Sequence, residues 1–120
     1  MRSTLDEFLV RAFDSRAKNI LSDMHSSQSA YHKVYKTYSA NRKDIGYVEY
    51  ADLARMFFTP HELPPEMMTV LPHHHLPYVS QNTFKILLAI EHKSAGELDL
   101  WTLTEDGSIQ KLSEKVILKQ

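Results

Sequence analysis

The 120-residue sequence predicts an α+β fold, with about three N-terminal helices packed on a C-terminal antiparallel sheet of three to four strands in a meander. Three observations carry that expectation. Apolar residues recur every three or four positions in the first half. In the last third they run continuously or flank a turn signal. All five prolines lie between these two regions. The chain reads as one domain over 1–120, with a helical part at 1–58, a Pro-rich packed loop at 59–78 and an antiparallel β part at 79–120.

Leu5, Phe8, Leu9, Ala12, Phe13, Ala17, Ile20, Leu21 and Met24 trace one helical face and place a first helix at about 4–24. Ser3 suits its N-cap, and Asp6 and Glu7 suit the positive end of the helix dipole. His25-Ser26-Ser27-Gln28-Ser29 favours caps and turns, so a break is expected there. Tyr31, Val34, Tyr35 and Tyr38 begin a second helical stripe that fades at Ser39-Ala40-Asn41. A third helix is expected over Val48–Phe58, with Leu53, Met56 and Phe57 inward and Pro60 ending it.

Pro60, Pro64, Pro65, Pro72 and Pro77 stiffen the connection that follows, which has room for one helical turn near Glu66–Val70. Leu63, Met67, Met68, Val70 and Leu71 need cover, so this stretch reads as packed over the core rather than as a flexible linker. Thr83–Ile90 is apolar on both faces, the pattern of a central strand. Ser94-Ala95-Gly96 supplies a turn into a second strand at Leu98–Leu103. Asp106-Gly107 then marks a hairpin into Ser108–Leu112, with Val116-Ile117-Leu118 as a fourth strand.

Composition removes several classes of function. With 42% hydrophobic and 10% aromatic residues, the chain can build a core without staples. The absence of cysteine excludes disulfides, thiol nucleophiles and thiolate-bound metals. Three glycines leave little material for a phosphate-cradling loop, and no Ser elbow or His-Glu-x-x-His helix occurs. The net charge of −1 points to neither a polyanion nor a membrane surface. The longest apolar run is five residues, Ile86–Ile90, and no secretory leader is visible behind Met1. A soluble, cytoplasmic protein without a cofactor is the expectation.

Two features remain as candidate sites. His73 and His75, flanking His74, share one side of an extended chain and are metal-ligand candidates with Glu91, although adjacent histidines in a Pro-flanked loop are also consistent with simple solvation. Glu91-His92-Lys93 has a Glu-x-Lys spacing similar to that of metal-dependent nucleases, with Glu97 and Asp99 across the hairpin. No aspartate lies between Asp52 and Asp99, and the nearest upstream acids, Glu62 and Glu66, fall in the Pro-rich loop, so the first acid that chemistry needs is missing. The stretch Met24–Lys43 contains no acid and carries Lys33, Lys36, Arg42 and Lys43 among Tyr31, Tyr35 and Tyr38.

Tyrosine covers area with few rotatable bonds and keeps a polar tip, which favours it at protein interfaces. Tyr31, Tyr35, Tyr38, Lys36 and Arg42 are therefore the candidate contact patch. The expected function is a small non-enzymatic protein-binding module, of the inhibitor, immunity or adaptor type found in bacteria and phages. Nucleic acid is the alternative partner for the same patch, through phosphate pairing and base stacking. A metal-dependent enzyme built on the His triplet and the hairpin carboxylates is the other alternative.

Overall fold

The computed structural model describes residues 4–46, 54–91 and 97–117. The expected N-cap at Ser3, the start of the third helix at 48–53 and the turn at Ser94-Ala95-Gly96 lie outside them.

The element order is helix α1 (Thr4–Tyr35), strand β1 (Ala54–Phe57), helix α2 (Pro65–Val70), strand β2 (Tyr78–Val79), and strands β3 (Phe84–Glu91), β4 (Glu97–Thr104) and β5 (Ile109–Ile117). Single 3₁₀ turns occupy Pro60–Glu62 and His73–His75. All strand pairs are antiparallel. The sheet runs β1-β3-β4-β5, with β2 beside β1 along the same side of β3. The meander β3-β4-β5 is the arrangement expected, with β5 as one strand where two were expected. A register irregularity between Asp99 and Trp101 accommodates the extra length of β5.

Two expectations about helices are corrected. The break at His25–Ser29 does not occur, and α1 runs unbroken for 32 residues into the second expected helix. Met24, Gln28 and Tyr31 continue the inward stripe through the serines, and neither Pro nor Gly interrupts it, so packing overrides the turn preference. Helix is also wrong for Ala54–Phe57, which is strand β1. Ala54, Met56 and Phe58 face one cluster of core residues and Phe57 faces another, a period of two rather than 3.6. Thr59, held extended before Pro60, carries the chain out of the strand.

Strand β3 explains the layering. Ile86, Leu88 and Ile90 point to one face, where Ala17, Ile20, Leu21 and Met24 of α1 meet them with Trp101 and Leu103. Leu87 and Ala89 point to the other face, covered by Leu63, Met67 and Leu71 of the Pro-rich segment together with Leu100, Leu112 and Val116. The N-terminal helix thus covers one face, and the Pro-rich segment with its expected turn α2 covers the opposite one. Burying each such aliphatic side chain contributes about 1.5–3 kcal/mol.

Helix α1 is longer than its support. At 1.5 Å per residue its 32 residues span about 48 Å, close to the 51 Å longest dimension of the molecule. Among the described residues of α1, the buried ones run only from Ala17 to Gln28. Phe8 at one end, and Val34 and Tyr35 at the other, are exposed.

Candidate functional site

The tyrosine-bearing end of α1 is positioned by a clamp. Gln28 is fully buried. Its side-chain amide donates to the Ser39 carbonyl at 2.7 Å and accepts from the Ser39 N–H at 3.1 Å, so one side chain satisfies a whole peptide position of the returning loop. Helix α1 ends as Lys36 adopts a left-handed conformation (φ 61°) and donates its N–H to the His32 carbonyl at 2.8 Å. The Ser39 hydroxyl donates to Asp44 at 3.0 Å and accepts from the Asn41 N–H, and Gly46 closes the turn with φ 64°. The segment 36–46 is therefore folded back against α1.

This clamp sorts the predicted patch residues. Tyr38 turns inward, edge-on to Phe84 at 4.8 Å and against the His32 ring at 4.3 Å. Tyr31 is half-buried against the α1-side core and lies 3.5 Å from Asp44, its phenol raised above its ordinary pKa by partial desolvation and by the Asp44 carboxylate. Tyr35 stacks on Tyr31 at 4.5 Å between centroids and is 62% exposed, while Val34 beside it is 70% exposed.

Arg42 is engaged inside the protein. Its guanidinium lies 2.6 Å from the Glu62 carboxylate, donates to the Met56 carbonyl of edge strand β1 at 2.8 Å, and sits 4.9 Å from the Phe58 ring centre. Lys36 is exposed, as are Lys33 and Lys43. Of the predicted set, Tyr35 and Lys36 thus stand together at the surface, Tyr31 supports them, and Tyr38 and Arg42 face other parts of the protein. Val34 is a surface residue that the tyrosine-centred reading passed over. Its place in the stripe Tyr31, Val34, Tyr35 was the available signal.

The metal candidates are arranged differently. His73 and His74 are exposed on the 3₁₀ turn, and His75 is half-buried with its ring 4.1 Å from that of His74. Burial lowers the His75 pKa, with the neighbouring His74 and Lys85 adding to the effect, and its Nδ1 has no hydrogen-bond partner among the described residues. Among those residues no three His, Asp or Glu side chains are placed to hold a metal ion. That includes His73, His75 and Glu91.

Two of the hairpin carboxylates, Glu97 and Asp99, do meet, but around cations. Asp99 is 2% exposed and lies 3.6 Å from Lys111 and 3.8 Å from Lys115. Lys115 also pairs with Glu97 at 3.0 Å, and Lys111 with Asp14 of α1 at 2.9 Å. Desolvation acts to lower the Lys111 pKa, but Asp14 and Asp99 outweigh it and raise it above the ordinary value. This alternating chain of charges ties α1 to β4 and β5. It leaves the acids neutralised rather than convergent on a vacant position.

Among the described residues no helix is long and apolar enough to cross a membrane. Compared with protein-family models, curated proteins and solved structures, the chain matches none.

Proposed function

We propose that the protein is a non-enzymatic binding module that docks on another protein through the last turn of α1, acting as an inhibitor or adaptor. One observation carries the reading. Val34 and Tyr35 continue the apolar stripe of α1 past its own sheet and remain 70% and 62% exposed. An aromatic ring backed by a second ring loses little side-chain freedom when a partner covers it, which suits an interface anchor. Tyr31 backs Tyr35 in this way, and the Gln28–Ser39 clamp fixes the position of the turn.

The geometry favours protein over nucleic acid as partner. Stacking on single strands needs several open rings. Here Tyr38 packs against Phe84 and Tyr31 is partly covered, which leaves Tyr35 as the open ring of the three. A photo-crosslinking residue at position 35 tests the proposal in a lysate of the native host. A discrete protein adduct is expected from position 35 and not from Gln110, exposed on β5. No adduct from position 35, or the same adducts from both positions, would refute the docking surface.

A further inference from the structure

We propose that the partner meets this surface with an acidic segment carrying apolar side chains, a deepening that rests on the docking surface proposed above. Charge complementarity selects that chemistry. Some exposed cations elsewhere are paired, Lys115 with Glu97 and Asp99 and Arg11 with Glu7, while Lys18 and Arg55 stand singly without a carboxylate among the described residues. What sets the end of α1 apart is that its unpaired cations are grouped around apolar side chains. Lys33, Lys36 and Lys43 are exposed and, among the described residues, have no carboxylate within ion-pair distance. They fall in the acid-free stretch from Met24 to Lys43, where Asp23 and Asp44 are the nearest acids in sequence on either side. Asp44 is turned to Ser39 and Tyr31 rather than to a lysine.

Lys33 and Lys36 flank Val34 and Tyr35 directly in sequence, so an apolar centre has a cationic rim within one helical turn. The negative end of the α1 dipole favours one such cation. Lys33 and Lys36 together exceed what a half charge at a helix end calls for, and Lys43 adds to the positive charge of the same segment in sequence. An acidic rim on the partner neutralises them, and its apolar residues cover Val34 and Tyr35. Rim pairs of this kind set orientation and association rate.

A short fluorescent peptide of alternating Glu and Leu is the probe, read by anisotropy. Oligoglutamate and oligothymidylate of the same length are the comparisons. Saturable binding of the Glu/Leu peptide is expected. It should weaken as salt rises, be stronger than for either comparison, and fall about thirty-fold when Lys33→Glu and Lys36→Glu turn two attractive pairs repulsive. A Lys33→Gln, Lys36→Gln variant with wild-type circular dichroism should show an intermediate loss, which separates charge from misfolding.

Unsaturable peptide binding, equal binding by the variants, or tighter retention of oligothymidylate overturns the inference. The position-35 crosslink repeated in the Lys33→Glu, Lys36→Glu double variant distinguishes the two levels of the proposal. An adduct that survives charge reversal removes the acidic partner and leaves the docking surface standing. An adduct absent already from the wild-type background removes both.

Discussion

Replacing Gln28 with Ala removes the side chain that satisfies both backbone groups of Ser39 in the loop after α1, and the structure sets the size of the effect. Gln28 is fully buried, and its amide satisfies both the N–H and the C=O of Ser39, which is itself buried. Each hydrogen bond contributes about 1 kcal/mol net, and a buried partner left unsatisfied costs roughly 1–3 kcal/mol. Two backbone groups lose their partner, and partial hydration through the new space recovers some of the loss, so destabilisation of about 3 kcal/mol is expected. Taking roughly 2 cal/mol/K of unfolding entropy per residue, that shift lowers Tm by about 12 °C in a chain of 120 residues.

Urea and thermal melts read the change directly, and Gln28→Glu supplies the control. A glutamate still accepts from the Ser39 N–H but sets a carboxylate against the Ser39 carbonyl. Its deficit should therefore shrink as the pH drops into the range where the side chain protonates and can donate. Destabilisation of Gln28→Ala below about 1 kcal/mol would refute the reasoning, because it would mean that Ser39 finds equivalent partners without Gln28.

Glu62 should shape the acid limb of stability. Burial pushes its pKa up, but the Phe58 and Thr59 N–H groups and Arg42 outweigh this and hold it below the ordinary 4.5. A group whose pKa is lowered in the folded state contributes stability above its unfolded pKa and loses it as the pH falls through the folded value. Glu62→Gln is therefore expected to be less stable at neutral pH and to flatten the decline below about pH 4.5 in urea melts. A parallel acid limb would contradict this. Gly107 has φ +86°, and a Cβ there would meet the His25 ring at 3.4 Å, whereas Gly46 at φ +64° has open space around it. Since 3.4 Å is an ordinary van der Waals distance, Gly107→Ala and Gly46→Ala should each cost about 1–2 kcal/mol for the left-handed backbone alone, read by urea melts. No loss of stability in either variant would show that the left-handed backbone there is not strained by a Cβ.

The sheet was legible in the sequence because its signals are local. A continuous apolar run made β3 central, and Asp106-Gly107 fixed the β4–β5 hairpin. The Pro-rich segment was legible as packed, and Leu63, Met67 and Leu71 are buried as expected, but Met68 and Val70, expected to need cover as well, are exposed on α2. Strand β1 was not. At four residues it is too short for a period of two to be told from the inward face of a helix. The continuation of α1 through His25–Ser29 was hidden for a different reason. Its decisive contact joins Gln28 to Ser39, eleven residues on, and residue preference at the serines carries no trace of it. The candidate patch was legible as a composition but not as a surface. Which tyrosine faces outward depends on where the sheet stops supporting α1, a length relation between distant segments.

That same relation separates structural duties from candidate function. A strand apolar on both faces needs two covers, and α1 supplies only one. The length and proline content of residues 59–78, which by themselves suggest a functional loop, follow from the second cover. Arg42 is drawn into this arrangement as well. By joining Glu62 at the start of the Pro-rich segment to the Met56 carbonyl on β1, it engages an edge strand that would otherwise offer its backbone to a foreign strand. Asp99, Lys111 and Lys115 anchor the opposite side of the sheet to α1. Once these duties are assigned, the basic and aromatic content of Met24–Lys43 divides in two. Gln28, Tyr38 and Arg42 hold the fold, and Lys33, Val34, Tyr35 and Lys36 do no comparable structural work. Lys33 and Lys36 are well solvated where they are, so the ground for proposing a contact there is the apolar area of Val34 and Tyr35, which α1 carries beyond the part of the helix that its own sheet covers.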